Sequence, residues 1–185
     1  MTLGARAKLA LILGGFALPI AASLAVYTFG RPRPTANYGE LLLPPDSITG
    51  AAFTTAGGEP FRFRSLEGRW ILLAADRGAC DPACRSKLVA IRQVHLALGR
   101  EAERVATVTV VADGVPPAPS LAADFPAMVF ALPADPPAAR AAVTDASHIY
   151  LVDPHGNVMM RWPARPEYKR MKDDLDRLLR ASQIG

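Results

Sequence analysis

The segment that decides the fold is WILLAADRGACDPACRSKLVAI, residues 70–91. Its first part, Trp70 to Ala75, is a short apolar run with the length of a buried strand. Its second part begins at Pro82 and continues with apolar residues at helical spacing. Cys80 and Cys84, the two cysteines of the chain, lie where the two parts meet. The sequence therefore predicts a strand-to-helix corner that carries a cysteine pair, and such corners are where α/β sheets place their chemistry.

The spacing of the two cysteines limits what they do. A disulfide across four residues is geometrically possible, but it closes a very short loop and stabilises the fold little. Cys80 lies at or before the first helical turn, where the helix dipole and free N–H groups favour a thiolate. A thiolate serves redox exchange and the binding of a thiophilic metal equally well. Both functions remain open at this point.

The rest of the chain predicts a thioredoxin order of elements around this corner. The first hairpin pairs Phe53–Thr55 with residues 60–64, and Ala56–Glu59 form its turn. After it the pattern reads strand, helix, strand, helical connector, strand, strand, helix. The elements after the corner are a strand at 105–111, a short helix at 120–124, a strand at 128–132, a helix at 137–143, strands at 148–153 and 158–162, and a helix at 166–182. We therefore predict an α/β, thioredoxin-like domain over residues 48–185, with a mixed central sheet flanked by helices.

The N-terminal part predicts a membrane anchor. Residues 9–29 contain no charged side chain, and 21 predominantly apolar residues are about the length that crosses a bilayer of roughly 30 Å. A cleaved signal peptide is the alternative, but its apolar region would be shorter. We therefore predict a short tail at 1–8, one transmembrane helix at 9–29 and an irregular linker at 30–47. The short tail favours an anchor in the inner membrane with the domain on the periplasmic side, where a cysteine pair meets an oxidising environment.

The positive net charge of +4 belongs to the membrane flanks. Four of the 21 basic residues lie within residues 1–33, where there are no acidic residues. The remainder of the chain therefore holds 17 basic and 17 acidic residues. Nucleic-acid binding requires a basic patch on the folded domain, so the charge gives no support to a nucleic-acid partner.

His148 is the candidate third member of the site. It precedes the turn glycine Gly156 by eight residues, the offset at which thioredoxin-like proteins place the residue that faces the active cysteines. An imidazole with two thiolates makes a three-coordinate site suited to Cu(I) and workable for Cu(II). The alternative is a partly buried histidine that bonds only the backbone. We expect His95, His155 and the carboxylate of Asp76 to face solvent.

These motifs resemble the Sco/SenC family of membrane-anchored, thioredoxin-like copper proteins. The resemblance covers most of residues 48–182. It is carried by the motifs GEPF at 58–61, LEGRW at 66–70, CDPAC at 80–84 and IYLVDPHG at 149–156. It implies copper bound by Cys80, Cys84 and a histidine, and a role in building the copper centre of cytochrome c oxidase. The family's usual histidine position holds Asp145 here, with His148 three residues further on, so the chain resembles a divergent branch.

Three functional hypotheses follow. The first is a metallochaperone that delivers copper to a cytochrome c oxidase subunit or to another assembly factor at the membrane. The second is a periplasmic thiol–disulfide oxidoreductase without metal, in which Cys80 attacks and Cys84 resolves. The third is an assembly factor that acts by docking alone.

Overall fold

The computed structural model describes residues 4–29, 37–48, 50–134 and 145–182. The chain divides into two compact units, Met1–Ala36 and Asn37–Gly185. The predicted helix at 137–143 lies outside the described residues.

The first unit contains helix α1, Ala5–Phe29, with Pro19 inside it. Pro19 is compatible with a continuous helix where neighbouring groups satisfy the freed backbone carbonyl. Among the residues that the structure describes, no helix is found with the length and apolarity that a membrane crossing requires.

The second unit is built on a mixed sheet, in which the described residues form eight strands. The strands are β1 (Glu40–Ser47), β2 (Phe53–Thr55), β3 (Pro60–Phe61), β4 (Trp70–Asp76), β5 (Val105–Val111), β6 (Met128–Pro133), β7 (His148–Val152) and β8 (Asn157–Pro163). Their order across the sheet is β1-β8-β7-β4-β5-β6-β2-β3. β4, β5 and β6 run parallel, and the other neighbours pair antiparallel. The parallel β4 lies near the centre and leads directly into the cysteine corner.

Three helices of this unit are described: α2 (Pro82–Ala97), α3 (Pro119–Asp124) and α4 (Tyr168–Ala181). Two short 3-10 segments, Phe63–Leu66 and Gly99–Arg104, connect other elements. The predicted strands and helices are confirmed to within a few residues where they are described. The second arm of the predicted hairpin is shorter than expected, because residues 63 and 64 lie in the first 3-10 segment.

The pleat of β4 divides the interior into two cores, since successive side chains of a strand point to opposite faces. Leu72 and Ala74 face a core shared with α2, α3 and α4, which includes Cys84. Ile71 and Leu73 face a second core that contains the aromatic cluster of Phe53, Phe61 and Phe63. We call the first the helix-side core and the second the hairpin-side core.

The prediction of an irregular linker up to residue 47 was wrong. Glu40–Ser47 forms β1, which pairs with β8 at the edge of the sheet from Glu40↔Arg161 to Ser47↔Asn157. Pro44 and Pro45 lie in this strand, where the register shifts between Leu41 and Asp46. An edge strand tolerates proline because one side of it needs no ladder hydrogen bonds. The folded unit therefore begins at Asn37 rather than at residue 48.

A buried carboxylate fixes the start of this unit to α4. Asp174 is 0% exposed and accepts hydrogen bonds from the backbone N–H groups of Tyr38 (3.1 Å) and Gly39 (2.7 Å). It also accepts from Trp162 Nε1 at 3.0 Å and from the Arg177 guanidinium at 2.6 Å. Four donors compensate the cost of burying the charge. We call this arrangement the Asp174 clamp.

Candidate functional site

The cysteine corner is stabilised by a standard helix N-cap. Asp81 is the N-cap of α2, and its carboxylate accepts the Cys84 N–H at 2.8 Å. Pro82 occupies the first helical position, where its missing N–H costs nothing. β4 ends at Asp76, so the loop at residues 77–81 places Cys80 immediately before the helix.

Cys80 and Cys84 form a disulfide with their Cα atoms 5.1 Å apart. Cys84 is 2% exposed and packs in the helix-side core, whereas Cys80 is partly exposed beside it. Cys80 has a φ of +38°, a left-handed conformation that is uncommon for residues other than glycine. Strained backbone of this kind is concentrated at functional sites. Because Cys80 is the more exposed of the two, its sulfur is the one that an incoming group reaches first.

A second loop lies against the cysteine loop. The Gly78 N–H donates to Asp113 Oδ1 at 3.0 Å, and the Val115 N–H donates to the same oxygen at 3.2 Å. A Cβ at Gly78 would overlap the Val115 carbonyl. The approach to Cys80 is thus shaped by backbone from two loops, and only glycine fits at residue 78 without displacing one of them.

His148 lies at the same end of the sheet as the cysteines, because β7 runs antiparallel beside β4 and the pair Ala74↔Ile149 aligns β7's first residues with β4's last. Its Nδ1 lies 2.7 Å from Asp145 Oδ2 and 2.8 Å from Ser147 Oγ. A carboxylate only accepts hydrogen bonds, so Nδ1–H is the donor and the lone pair of a neutral ring is on Nε2. A histidine held in this way is the arrangement that orients imidazoles for metal binding.

The pKa of Asp145 is lowered to about 2. The largest cause is the hydrogen bond from the Ser147 hydroxyl at 2.6 Å, followed by the bond from the Ser147 N–H at 2.8 Å. The hydrogen bond and charge of His148 lower this pKa further. The residues from Asp145 to His148 thus form a tight, charged turn, which we call the histidine turn.

The pleat places the His148 ring on the hairpin side of the sheet. It shares that face with Tyr150, whose ring centroid is 6.0 Å away, whereas Ile149 faces the helix-side core with Cys84. Burial raises the pKa of the Tyr150 phenol, and the Asp145 carboxylate raises it further. Among the described residues, no group of three or more His, Cys, Asp and Glu side chains is placed to hold a metal ion.

Sequence reasoning missed Lys87. Its side chain is 1% exposed, and its Nζ donates to the carbonyls of Ala75 (2.8 Å) and Ala146 (2.6 Å) and pairs with Asp76 Oδ2 at 2.9 Å. The expectation that Asp76 is a solvated loop carboxylate was therefore wrong, since its side chain is 16% exposed and ion-paired. The sequence spacing could have indicated this burial, because Lys87 follows Cys84 by three residues and both therefore lie on one face of α2.

The other two histidines lie away from the pair. His155 is exposed in the β7–β8 turn, as expected. His95 was expected to face solvent, but it is half-buried and its Nε2 lies within hydrogen-bond distance of the Ala102 and Val105 carbonyls. It serves to hold the 3-10 segment that follows α2.

Comparison with known families gives one match. A family model described as "Transmembrane-like, thioredoxin-like, C-terminal domain" matches residues 70–182, from the start of β4 to just after α4. No curated protein matches the sequence significantly.

Solved structures with this fold include three from the Sco family. Bradyrhizobium japonicum ScoI with copper bound is 20% identical, with a TM-score of 0.57, over 69% of this chain and 96% of that chain. Yeast Sco1 with copper bound is 14% identical, with a TM-score of 0.62, over 80% and 96%. A SCO1/SenC family lipoprotein from Bacillus anthracis is 17% identical, with a TM-score of 0.58, over 74% and 98%. At these identities the similarity establishes the fold, and it confirms in fold the Sco/SenC resemblance seen in the sequence.

Proposed function

Because the chain belongs to the transmembrane-like, thioredoxin-like C-terminal domain family, we propose that it is a membrane-anchored, Sco-like copper-binding protein. We propose further that it assists assembly of the copper centre of cytochrome c oxidase. The observation that carries the proposal is the Cys80–Cys84 pair at the start of α2, in a fold shared with Sco proteins that have copper bound.

Copper is the cargo in this proposal, and the disulfide must be reduced before the sulfurs bind it. Reduction adds two electrons and two protons to the Cys80–Cys84 bond and yields two thiols. A partner dithiol supplies both and becomes a disulfide itself. The two thiols then lose their protons as the thiolates bind Cu(I), which soft sulfur ligands favour. The start of α2 assists this loss because its N–H groups and dipole stabilise negative charge on sulfur.

His148 is the proposed third ligand. Its Nδ1–H donates to Asp145 at 2.7 Å, which leaves the Nε2 lone pair for ligation. The donor set of two thiolates and one imidazole fits copper. Asp145 itself, at the position where the family usually has histidine, would then act through His148 as the carboxylate that orients the ring.

The proposed location is the inner membrane, single-pass, with the domain on the periplasmic side. The uncharged run of the sequence from Leu9 to Phe29 supports an anchor. Tethering would restrict the search for a membrane partner and raise its effective concentration. The proposed partner is a cytochrome c oxidase subunit or another assembly factor.

The test is titration of the reduced full-length chain with Cu(I), using a competing chelator to report affinity. The double substitution Cys80→Ser/Cys84→Ser should abolish high-affinity binding. His148→Ala should weaken it by roughly 10- to 100-fold, the usual effect of disturbing a metal site's histidine environment. His155→Ala is the matched control and should leave affinity unchanged. Unchanged affinity in the double cysteine variant would refute the proposed copper site.

A second candidate function is thiol–disulfide exchange without metal. It is favoured by the disulfide itself and by the unequal exposure of its sulfurs, with Cys80 accessible and Cys84 buried. In this reaction the reduced Cys80 thiolate attacks a partner disulfide and one partner sulfur leaves as a thiolate. Cys84 then attacks the mixed disulfide at Cys80, which forms the Cys80–Cys84 bond and releases the second partner sulfur as a thiolate. The test is Cys84→Ser, which should accumulate a mixed disulfide through Cys80. If Cys84→Ser forms no mixed disulfide and binds copper less tightly than the unsubstituted chain, copper binding is the supported function.

A further inference from the structure

Lys87 is buried on the helix that carries Cys84. It lies on α2 three residues after Cys84, and its side chain is 1% exposed. Lysine is almost never fully buried unless its charge is paired. The ammonium group therefore occupies a position built to receive it.

The ammonium uses each of its three N–H donors. One donates to the Ala75 carbonyl at 2.8 Å, a second to the Ala146 carbonyl at 2.6 Å, and the third pairs with Asp76 Oδ2 at 2.9 Å. These acceptors come from two separate segments. Ala75 and Asp76 end the strand that leads to Cys80, and Ala146 lies in the middle of the histidine turn.

The contact between Lys87 and Ala146 lies just beyond the end of the β4–β7 ladder. The β4–β7 ladder runs from Ile71↔Val152 to Ala74↔Ile149 and has no further pair among the described residues. Lys87 bonds Ala75, the next residue of β4, and reaches across to the histidine turn. The link between the cysteine corner and the histidine turn therefore continues through one side chain of α2.

Stability alone gives little reason for a buried ion pair at this point. Replacing such a pair with apolar side chains of similar volume is often neutral or stabilising, because desolvation opposes the Coulomb attraction. Some buried ionic groups instead fix one arrangement of the chain. We propose that Lys87 is a positioning residue that holds the histidine turn against the Cys80–Cys84 corner. For copper binding this inference rests on the proposed function.

The first test needs no metal. Lys87→Met removes the charge and keeps an unbranched side chain, and Val94→Ala is a control on the buried face of the same helix. Hydrogen exchange is measured on the full-length oxidised chain, for the peptide that covers residues 145–149. Lys87→Met should accelerate exchange there by roughly tenfold or more beyond the control, the equivalent of losing one hydrogen bond to a charged group. Equal exchange in the two variants would overturn the proposal. If Lys87→Met does not fold, Lys87→Gln, too short to reach all three acceptors, serves in its place.

The second test couples Lys87 to His148. Cu(I) affinity is compared for Lys87→Met, His148→Ala and the double variant. A positioning role predicts that the two single losses are similar and that the double variant loses no more than His148→Ala alone. Additive losses would overturn the coupling. If the unsubstituted chain binds no copper, the proposed function fails, while the exchange measurement still decides the role of Lys87.

Discussion

The Asp174 clamp allows a quantitative prediction for the substitution Asp174→Asn. In the structure Oδ2 accepts from Gly39 and Trp162, and Oδ1 accepts from Tyr38 and Arg177. An amide offers one oxygen, so two of these donors face an NH2 group in either orientation. The less costly orientation keeps the oxygen on Gly39 and Trp162.

That orientation leaves the Tyr38 N–H and the Arg177 guanidinium without an acceptor. A buried N–H without its acceptor costs about 1–3 kcal/mol. The Arg177 side chain is 45% exposed and regains water, so its loss adds at most about 1 kcal/mol. The free energy of unfolding should fall by about 1–4 kcal/mol, which for a domain of this size lowers Tm by roughly 2–16 °C.

The assay is urea denaturation of the full-length chain, followed by tryptophan fluorescence. Asp173→Asn is the matched control, because Asp173 is the adjacent residue, is 48% exposed and pairs only with Lys169 in the described contacts. An exposed pair of this kind contributes less than about 0.5 kcal/mol. If Asp174→Asn were no less stable than Asp173→Asn, the clamp would not have the role assigned to it.

Two further predictions concern the site. Gly78→Ala should displace the cysteine loop or the facing loop, because its Cβ would overlap the Val115 carbonyl. It should lower the free energy of unfolding by about 1–3 kcal/mol and change the midpoint of disulfide reduction by dithiothreitol. The control is Gly57→Ala, whose Cβ would meet only a side-chain atom at 3.6 Å, and it should change neither quantity. Asp145, whose folded pKa of about 2 lies below its ordinary value of 3.8, contributes stability that is present above pH 4 and is lost as pH falls towards 2. Ser147→Ala should return its carboxyl titration, followed by NMR, towards the ordinary value, and a midpoint that stays near 2 would contradict the assigned cause.

The corner could be predicted from sequence because its determinants are local. An apolar run followed by Asp81 and Pro82 specifies a strand and a capped helix within a few residues. The strands at 105–111 and 148–153 were predicted for the same reason, since their own side chains carry the pattern. The disulfide followed as a possibility from the spacing of Cys80 and Cys84 alone.

The elements that sequence analysis missed depend on distant partners. β1 was predicted as linker because Pro44 and Pro45 argue against a strand, and only its place at the edge beside β8 makes them acceptable. Lys87 was missed because a single charged residue on a helix usually faces solvent. Its acceptors, at Ala75 and Ala146, lie 12 and 59 residues away in the chain.

The proposed third ligand, His148, shows the same division. The offset from Gly156 placed His148 at the correct end of the sheet, because strand length and turn length are local. The face on which its ring lies depends on the pleat of β7 against β4, which puts His148 with Tyr150 and not with Cys84. One residue of register decides that outcome.

The Asp174 clamp also decides how the domain responds to a mechanical pull. Tension on the chain ahead of Asn37 reaches Tyr38 and Gly39 first, and these are bonded to α4 inside the protein. The first pair of the edge ladder, Glu40↔Arg161, follows directly. An antiparallel edge strand loaded from its end would otherwise open one pair at a time. The hydrogen bonds of the clamp must break before such unzipping starts. A pull on the leading segment therefore moves the domain as a rigid body and leaves its cysteine corner undistorted.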